Sequence, residues 1–255
     1  MSQVSLQITD GTALLRLENV AKMNAFTIAM LDDLEGHLVT IERDTTVRAA
    51  IVTGDGEKAF CTGADINAWG DLTPAEFARH WVRDGHRIFD RLARLSKPTI
   101  AALNGHAFGG GLELAAACDL RVMTPRATLA LPEARVGIVP GWSGTQRLTR
   151  LIPEPMVKEM ALFGRRISSE RAVDCGFAAA IADDVLSVAR EMACEVAALS
   201  PRATEISKNM IHAAVGEDRD ASIEALGSAA IAATADRAEG VAAFQEKRKP
   251  GFEGT

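Results

Sequence analysis

Three consecutive glycines and two later glutamates hold the densest chemistry in this chain. The run Asn104-Gly105-His106-Ala107-Phe108-Gly109-Gly110-Gly111-Leu112-Glu113-Leu114 sets the glycines between an apolar strand pattern and a helical one. Glycines there strip side chains from a helix N-terminus, where free N–H groups and the helix dipole favour developing negative charge. They serve equally well to let a strand and a helix pack closely. Glu113 sits just inside that helix among Leu112, Leu114 and Ala115–Ala117. Burial there would raise its pKa, which is how general acids are made, whereas a glutamate at N3 is also ordinary capping chemistry. Pro132-Glu133 follows a second apolar strand and can be read in both ways too.

Other motifs do not complete. Neither GxGxxG nor GxxxxGK[ST] aligns with the glycine turn. Gly141-Trp142-Ser143-Gly144 is one residue short of the GxSxG nucleophile elbow. The histidines at 37, 80, 86, 106 and 212 form no HExxH or other helical ligand pair, so no metal is expected. The Glu246-Lys247-Arg248-Lys249 cluster is normally a solvated helix face, but beside Phe244 it could hold the phosphates of an acidic ligand.

The elements that must position these residues change in texture once. Up to about residue 150, apolar runs at Ala13–Leu17, Ala49–Thr53, Thr99–Leu103, Leu120–Met123 and Thr128–Leu131 alternate with helical patterns at Ile28–Ile41, Pro74–Leu95 and Gly111–Cys118. That alternation predicts an α/β fold with covered sheets. Beyond residue 153 the pattern is nearly all helical, over Pro155–Phe163, Ser169–Cys175, Val185–Leu199, Pro201–Val215, Ala221–Thr234 and Ala235–Lys247. Two stretches, Ile51–Ile66 and Ile100–Leu114, resemble each other loosely. Each runs from a buried strand through a glycine turn and a phenylalanine into a helix start.

Composition bounds the function. With 255 residues the chain can bury a large core without disulfides or structural metal. A net charge of −6 argues against a general nucleic-acid binder. No apolar stretch approaches the ~18 residues of a membrane helix, and the N-terminus lacks signal-peptide character. The dispersed Cys61, Cys118, Cys175 and Cys194 fit reduced thiols in a cytoplasm.

Several further stretches carry a resemblance. They are Lys22–Phe26, Ala59–Ile66, Lys97–Gly105, Gly109–Leu114, Cys118–Leu120, Leu131–Glu133, Gly137–Gly141, Gly144–Leu148 and Phe244–Lys249. From about Thr12 to Phe252 the chain resembles the enoyl-CoA hydratase/isomerase (crotonase) superfamily. The resemblance implies a spiral of ββα units over residues 1–195, with a helical segment over 196–255 that builds a homotrimer or a dimer of trimers. It implies an acyl-CoA thioester, with coenzyme A arriving as part of the substrate and no separate cofactor. The thioester oxygen would sit between the N–H groups of Ala64 and Gly110. Glutamates at both Glu113 and Glu133 resemble the hydratase pattern, with a place in fatty acid metabolism. Glu133 would deliver the α-proton and Glu113 would activate water. Contacts to coenzyme A and the acyl group are implied at Lys22, Ala25, Ala64, Asp65, Ile66, Asn67 and Gly110. Phe244 and Lys247 would reach a neighbouring subunit's site. The chain departs from the commoner pattern at Glu18-Asn19-Val20, at Asn67 (where many relatives carry lysine), and at His106 and Trp142. The same scaffold also hosts isomerases, hydrolases, dehalogenases, decarboxylases and a few RNA-binding relatives.

Overall fold

The computed structural model describes residues 2–217 and 233–255, without the side chains of Ile66, Asn67, Arg237 and Phe244. The expected helix at Ala221–Thr234 falls almost wholly outside the described residues. The chain divides into two compact units, Met1–Thr204 and Glu205–Thr255.

The first unit opens with a hairpin. β1 (Gln3–Thr9) pairs antiparallel with β2 (Thr12–Glu18) across Asp10-Gly11, both at positive φ, the backbone a two-residue hairpin requires. Thr27 caps α1 (Ile28–Arg43) by accepting from the Met30 N–H, and Met30, Leu34, Leu38 and Ile41 bury one stripe of that helix. β3 (Ala49–Gly54) and β5 (Thr99–Leu103) are buried along their whole length, as the middle strands of a parallel sheet must be. Their alternate residues serve two cores. Ala50, Val52, Ala101 and Leu103 face a large cluster that includes α1, whereas Ala49, Ile51, Ile100 and Ala102 face Val185, Ala189 and Ala193 of α9 (Val185–Ala197).

A spiral of repeated units fills the space between. β3, β5 and β7 (Leu120–Met123) lie parallel in a six-stranded sheet with β1, β2 and β10 (Ala180–Ile181). After each of the three, the chain crosses to a second sheet, through β4 (Ala59–Cys61), β6 (His106–Phe108) and β8 (Thr128–Ala130). These short strands are neighbours and parallel, and β9 (Ile167–Ser168) closes their sheet antiparallel. Each then enters a helical turn. The turns are α2 (Ile66–Trp69), α5 (Gly110–Ala117) and a 3₁₀ turn, Glu133–Val136. The loose likeness of Ile51–Ile66 to Ile100–Leu114 is therefore a real structural repeat with a third member.

The helical patterns also hold, with one interruption. Pro74–Leu95 is a helix in three parts: α3 (Pro74–Glu76), a π turn at Phe77–Val82, and α4 (Arg83–Ala93). Helices α6 (Gly144–Leu151), α7 (Glu154–Ala161) and α8 (Ser169–Asp174) follow, with β9 and β10 inserted where the pattern alone suggests only helices. Two-residue strands are too short to show a period of two. The chain continues through α10 (Pro201–Ala214), and α11 (Ala235–Glu246) belongs to the second unit. No helix among the described residues is long and apolar enough to cross a membrane.

Candidate active site

Because β4, β6 and β8 are adjacent and parallel, their carboxyl ends release three turns at one place, where α/β folds commonly bind ligands. Ala64 precedes α2, Gly110 opens α5 and Glu133 opens the 3₁₀ turn. These residues and Glu113 line one cavity of about 280 Å³. Gly63 and Gly109 hold positive φ, and a Cβ on Gly109 would lie 2.9 Å from a Glu133 oxygen. The glycine run therefore meets a local packing demand as well as opening the helix end.

Two N–H groups border that cavity without a role in the local ladder. Gly110 is the first residue of α5, so its N–H has no intrahelical acceptor. The bridge joining Ala64 to Phe26 is made by the Phe26 N–H to the Gly63 carbonyl and the Asp65 N–H to the Phe26 carbonyl. It passes over the N–H of Ala64 itself.

The two glutamates are both buried, with exposures of 3% for Glu113 and 8% for Glu133. Glu113 is the fourth residue of α5, not its N3, and it does not cap its own helix. Its Oε1 accepts from the Trp142 and Gly144 N–H groups, each at 2.8 Å. Burial raises its pKa, opposed by those amides and by the charge of Arg147. Glu133 is pushed up to about 7, first by burial and further by the charge of Glu113. Its Oε2 is buried with no hydrogen-bond partner among the described residues. Burial thus favours the neutral form of both; against it, Glu113 has the amides of Trp142 and Gly144, whereas Glu133 has its own backbone N–H alone. The amides and Arg147 favour the Glu113 anion, and the charge of Glu113 favours the proton on Glu133.

The family model described as enoyl-CoA hydratase/isomerase matches residues 7–255. The chain belongs to that family. It is 33% identical to the short-chain-enoyl-CoA hydratase of Clostridium acetobutylicum, over 98% of this chain and 97% of the relative. It is 35% identical to the (E)-benzylidenesuccinyl-CoA hydratase of Thauera aromatica, over 98% and 99% of the two chains. The solved enoyl-CoA hydratase of Bacillus anthracis superposes with a TM-score of 0.81 at 34% identity, covering 99% of each chain. Membership in the enoyl-CoA hydratase/isomerase family implies an acyl-CoA substrate.

Of the residues singled out from sequence, Ala64, Gly110, Glu113 and Glu133 come together at the cavity. Lys22 is exposed at the end of a 3₁₀ turn, and Ala25 is buried next to the Phe26–Ala64 bridge. Asp65 is half-buried, and Ile66 and Asn67 belong to α2 with side chains outside the description. Phe244 and Lys247 lie in the second unit. The Phe244 side chain is outside the description, and Lys247 is exposed at positive φ just past α11. His106 points elsewhere, stacking on Phe108 and meeting Thr128 through Nδ1.

Several positioning groups carry no motif. The buried Asn24 amide donates to the carbonyls of Asp55 and Ala59, and its oxygen accepts from the Asn19 N–H, pinning the Lys22–Phe26 loop. Ser143, at φ 75°, lies between the two amides that hold Glu113, and a ring of contacts fixes it there. Its hydroxyl meets His86 Nδ1 at 2.9 Å, and His86 Nε2 meets Asp90 at 3.3 Å. Asp90 pairs with Arg147, whose backbone N–H returns to the Ser143 carbonyl at 2.9 Å. Ser143 lines neither the acyl-sized cavity nor the larger one, of about 800 Å³, that opens over the arginines of α4. Its sequence signal was only the incomplete serine elbow. No group of three or more His, Cys, Asp or Glu among the described residues is placed to hold a metal ion.

Proposed function

We propose that this chain is an enoyl-CoA hydratase that adds water syn across the double bond of a 2-enoyl-CoA. The reading is carried by one observation: two buried carboxyls border one cavity, one held by the amides of Trp142 and Gly144, the other with one oxygen buried without a donor among the described residues. Glu113, as carboxylate, takes a proton from water while the water oxygen bonds to C3. Electron density moves through the double bond onto the thioester oxygen, which the N–H groups of Ala64 and Gly110 receive. Glu133 then delivers its proton to C2, and the two carboxyls end with exchanged protonation. One oxyanion donor is worth about 10²–10³ in rate and acid/base help about 10²–10⁴.

The chemistry draws on no resident cofactor, since coenzyme A enters with the substrate. Lys22, Ala25, Asp65, Ile66 and Asn67 are proposed to contact it, with Phe244 and Lys247 given to a neighbouring subunit of a homotrimer or a dimer of trimers. The proposed setting is the cytoplasm, without nucleic acid or membrane as partner. The hydratase-named relatives support the reaction type. Incubation with crotonyl-CoA tests it: conjugated-enoyl absorbance should fall at a rate proportional to enzyme. Absorbance that holds steady while the double bond of a 3-enoyl-CoA migrates would replace hydration with isomerisation.

A further inference from the structure

The chain has three tryptophans, and Trp69, Trp81 and Trp142 all line the cavity that holds Glu113 and Glu133. Phe77 joins them. The rings form two pairs, Trp69 with Phe77 at 5.4 Å and Trp81 with Trp142 at 5.2 Å between centroids. They are held in place from behind. Trp142 packs edge-on against Phe26 and Phe89, and its indole N–H donates to the Trp81 carbonyl in the π turn at 3.2 Å. Gly85 lies so close that a Cβ there would fall 2.2 Å from the Trp142 ring nitrogen, and one on Gly110 would fall 2.7 Å from the same ring. The orientation of Trp142 is therefore set by backbone on two sides.

Fixed rings favour some acyl groups over others. A flexible alkyl chain must lose rotamer freedom to lie among them, whereas an aryl group enters with nothing comparable to lose. Aromatic pairs also gain from edge-to-face and offset contacts beyond the area they bury. Resting on the hydratase reading for its chemistry, we infer that the preferred substrates are 3-aryl-2-enoyl-CoA thioesters, with the ring held among Trp69, Phe77, Trp81 and Trp142.

The test separates binding from turnover. The chain contains no tyrosine, so its indole fluorescence comes only from walls of this cavity. Quenching should show that unreactive 3-phenylpropionyl-CoA binds at least about fivefold tighter than nonanoyl-CoA, which has the same number of acyl carbons. Turnover is best followed as dehydration, because hydrating an aryl enoyl breaks its conjugation with the ring. 3-Hydroxy-3-phenylpropionyl-CoA should lose water to give cinnamoyl-CoA with kcat/KM at least about fivefold above that of 3-hydroxynonanoyl-CoA. Trp69→Leu should weaken phenylpropionyl binding by more than it weakens nonanoyl binding. Nonanoyl binding as tight as phenylpropionyl binding, or equal losses in the variant, would overturn the aryl preference whatever the turnover. Tight aryl binding without dehydration of either substrate would support the aryl site and sink the hydratase reading.

Discussion

Around Glu113 the backbone turns inward. The loop before α6 and the first residue of that helix each send an N–H group to a single carboxyl oxygen, and Arg147 adds positive charge nearby. Around Glu133 the support is thinner: its own backbone N–H is the one main-chain donor that favours the anion, and the Oε2 atom stays buried without a partner among the described residues. The same residue type, at similar burial, thus meets two different settings according to where the neighbouring backbone goes. Burial alone would make two acids. In the proposed reaction the donors make Glu113 the base, and coupled carboxyls in a dry cavity titrate apart in any case.

Removing either charge-bearing group should have the largest effect. Glu113→Gln and Glu133→Gln are each expected to lower kcat by at least about a hundredfold. Thermal unfolding of both variants should show that the fold is kept. If Glu113→Gln retained near-parental hydration, the two carboxyls would not share the work, and a one-carboxylate isomerase mechanism would fit better.

The contrast also predicts a pH dependence of stability. Glu133 is shifted from the ordinary 4.5 up to about 7, so the folded chain keeps a proton that the unfolded chain has released. The stabilisation is whole below pH 4.5 and is lost as pH rises to 7, a loss of about 3 kcal/mol against a non-titrating side chain. Denaturant unfolding of Glu133→Gln and the parent should therefore give a difference that shifts in the variant's favour between pH 5 and 7.5. A pH-independent difference would place the Glu133 carboxyl in a far wetter setting. Activity should fall over the same range as the proposed acid loses its proton.

How far the site could be read beforehand follows from the kind of signal each part leaves. Thr99–Leu103 and Leu120–Met123 are strands with the boundaries their runs imply, because buried parallel strands are dominated by apolar residues, and the buried Arg121 in the second is satisfied by the carbonyls of Cys118 and Phe177. The glycine turn and both glutamates were legible as residue types, although their convergence depends on β4, β6 and β8, each three residues long and too short to show a period. The family resemblance supplied that convergence. The aromatic walls come from α2, the π turn and the loop before α6, three segments distant in sequence that share no motif. The ring around Ser143 was legible even less, since His86 and Asp90 look like ordinary charges on an exposed helix.

That ring supplies the sharpest and smallest test of the comparison. If Glu113 is a base because two amides are held against it, loosening the residue between those amides should weaken the base without unmaking the fold. Ser143→Gly suits the purpose, because its backbone is already left-handed and glycine adopts φ 75° without strain. The hydroxyl contact to His86 is lost, while the backbone bond from Arg147 to residue 143 remains possible. We expect kcat to fall about three- to tenfold, the scale of one hydrogen bond, with KM little changed and unfolding temperature kept or raised. His86→Ala should do the same. The double variant should be little worse than either single, since both break one ring. Losses that multiply would mean that His86 and Ser143 act separately. A Ser143→Gly enzyme as fast as the parent would mean that the amides over Glu113 hold their places without the ring.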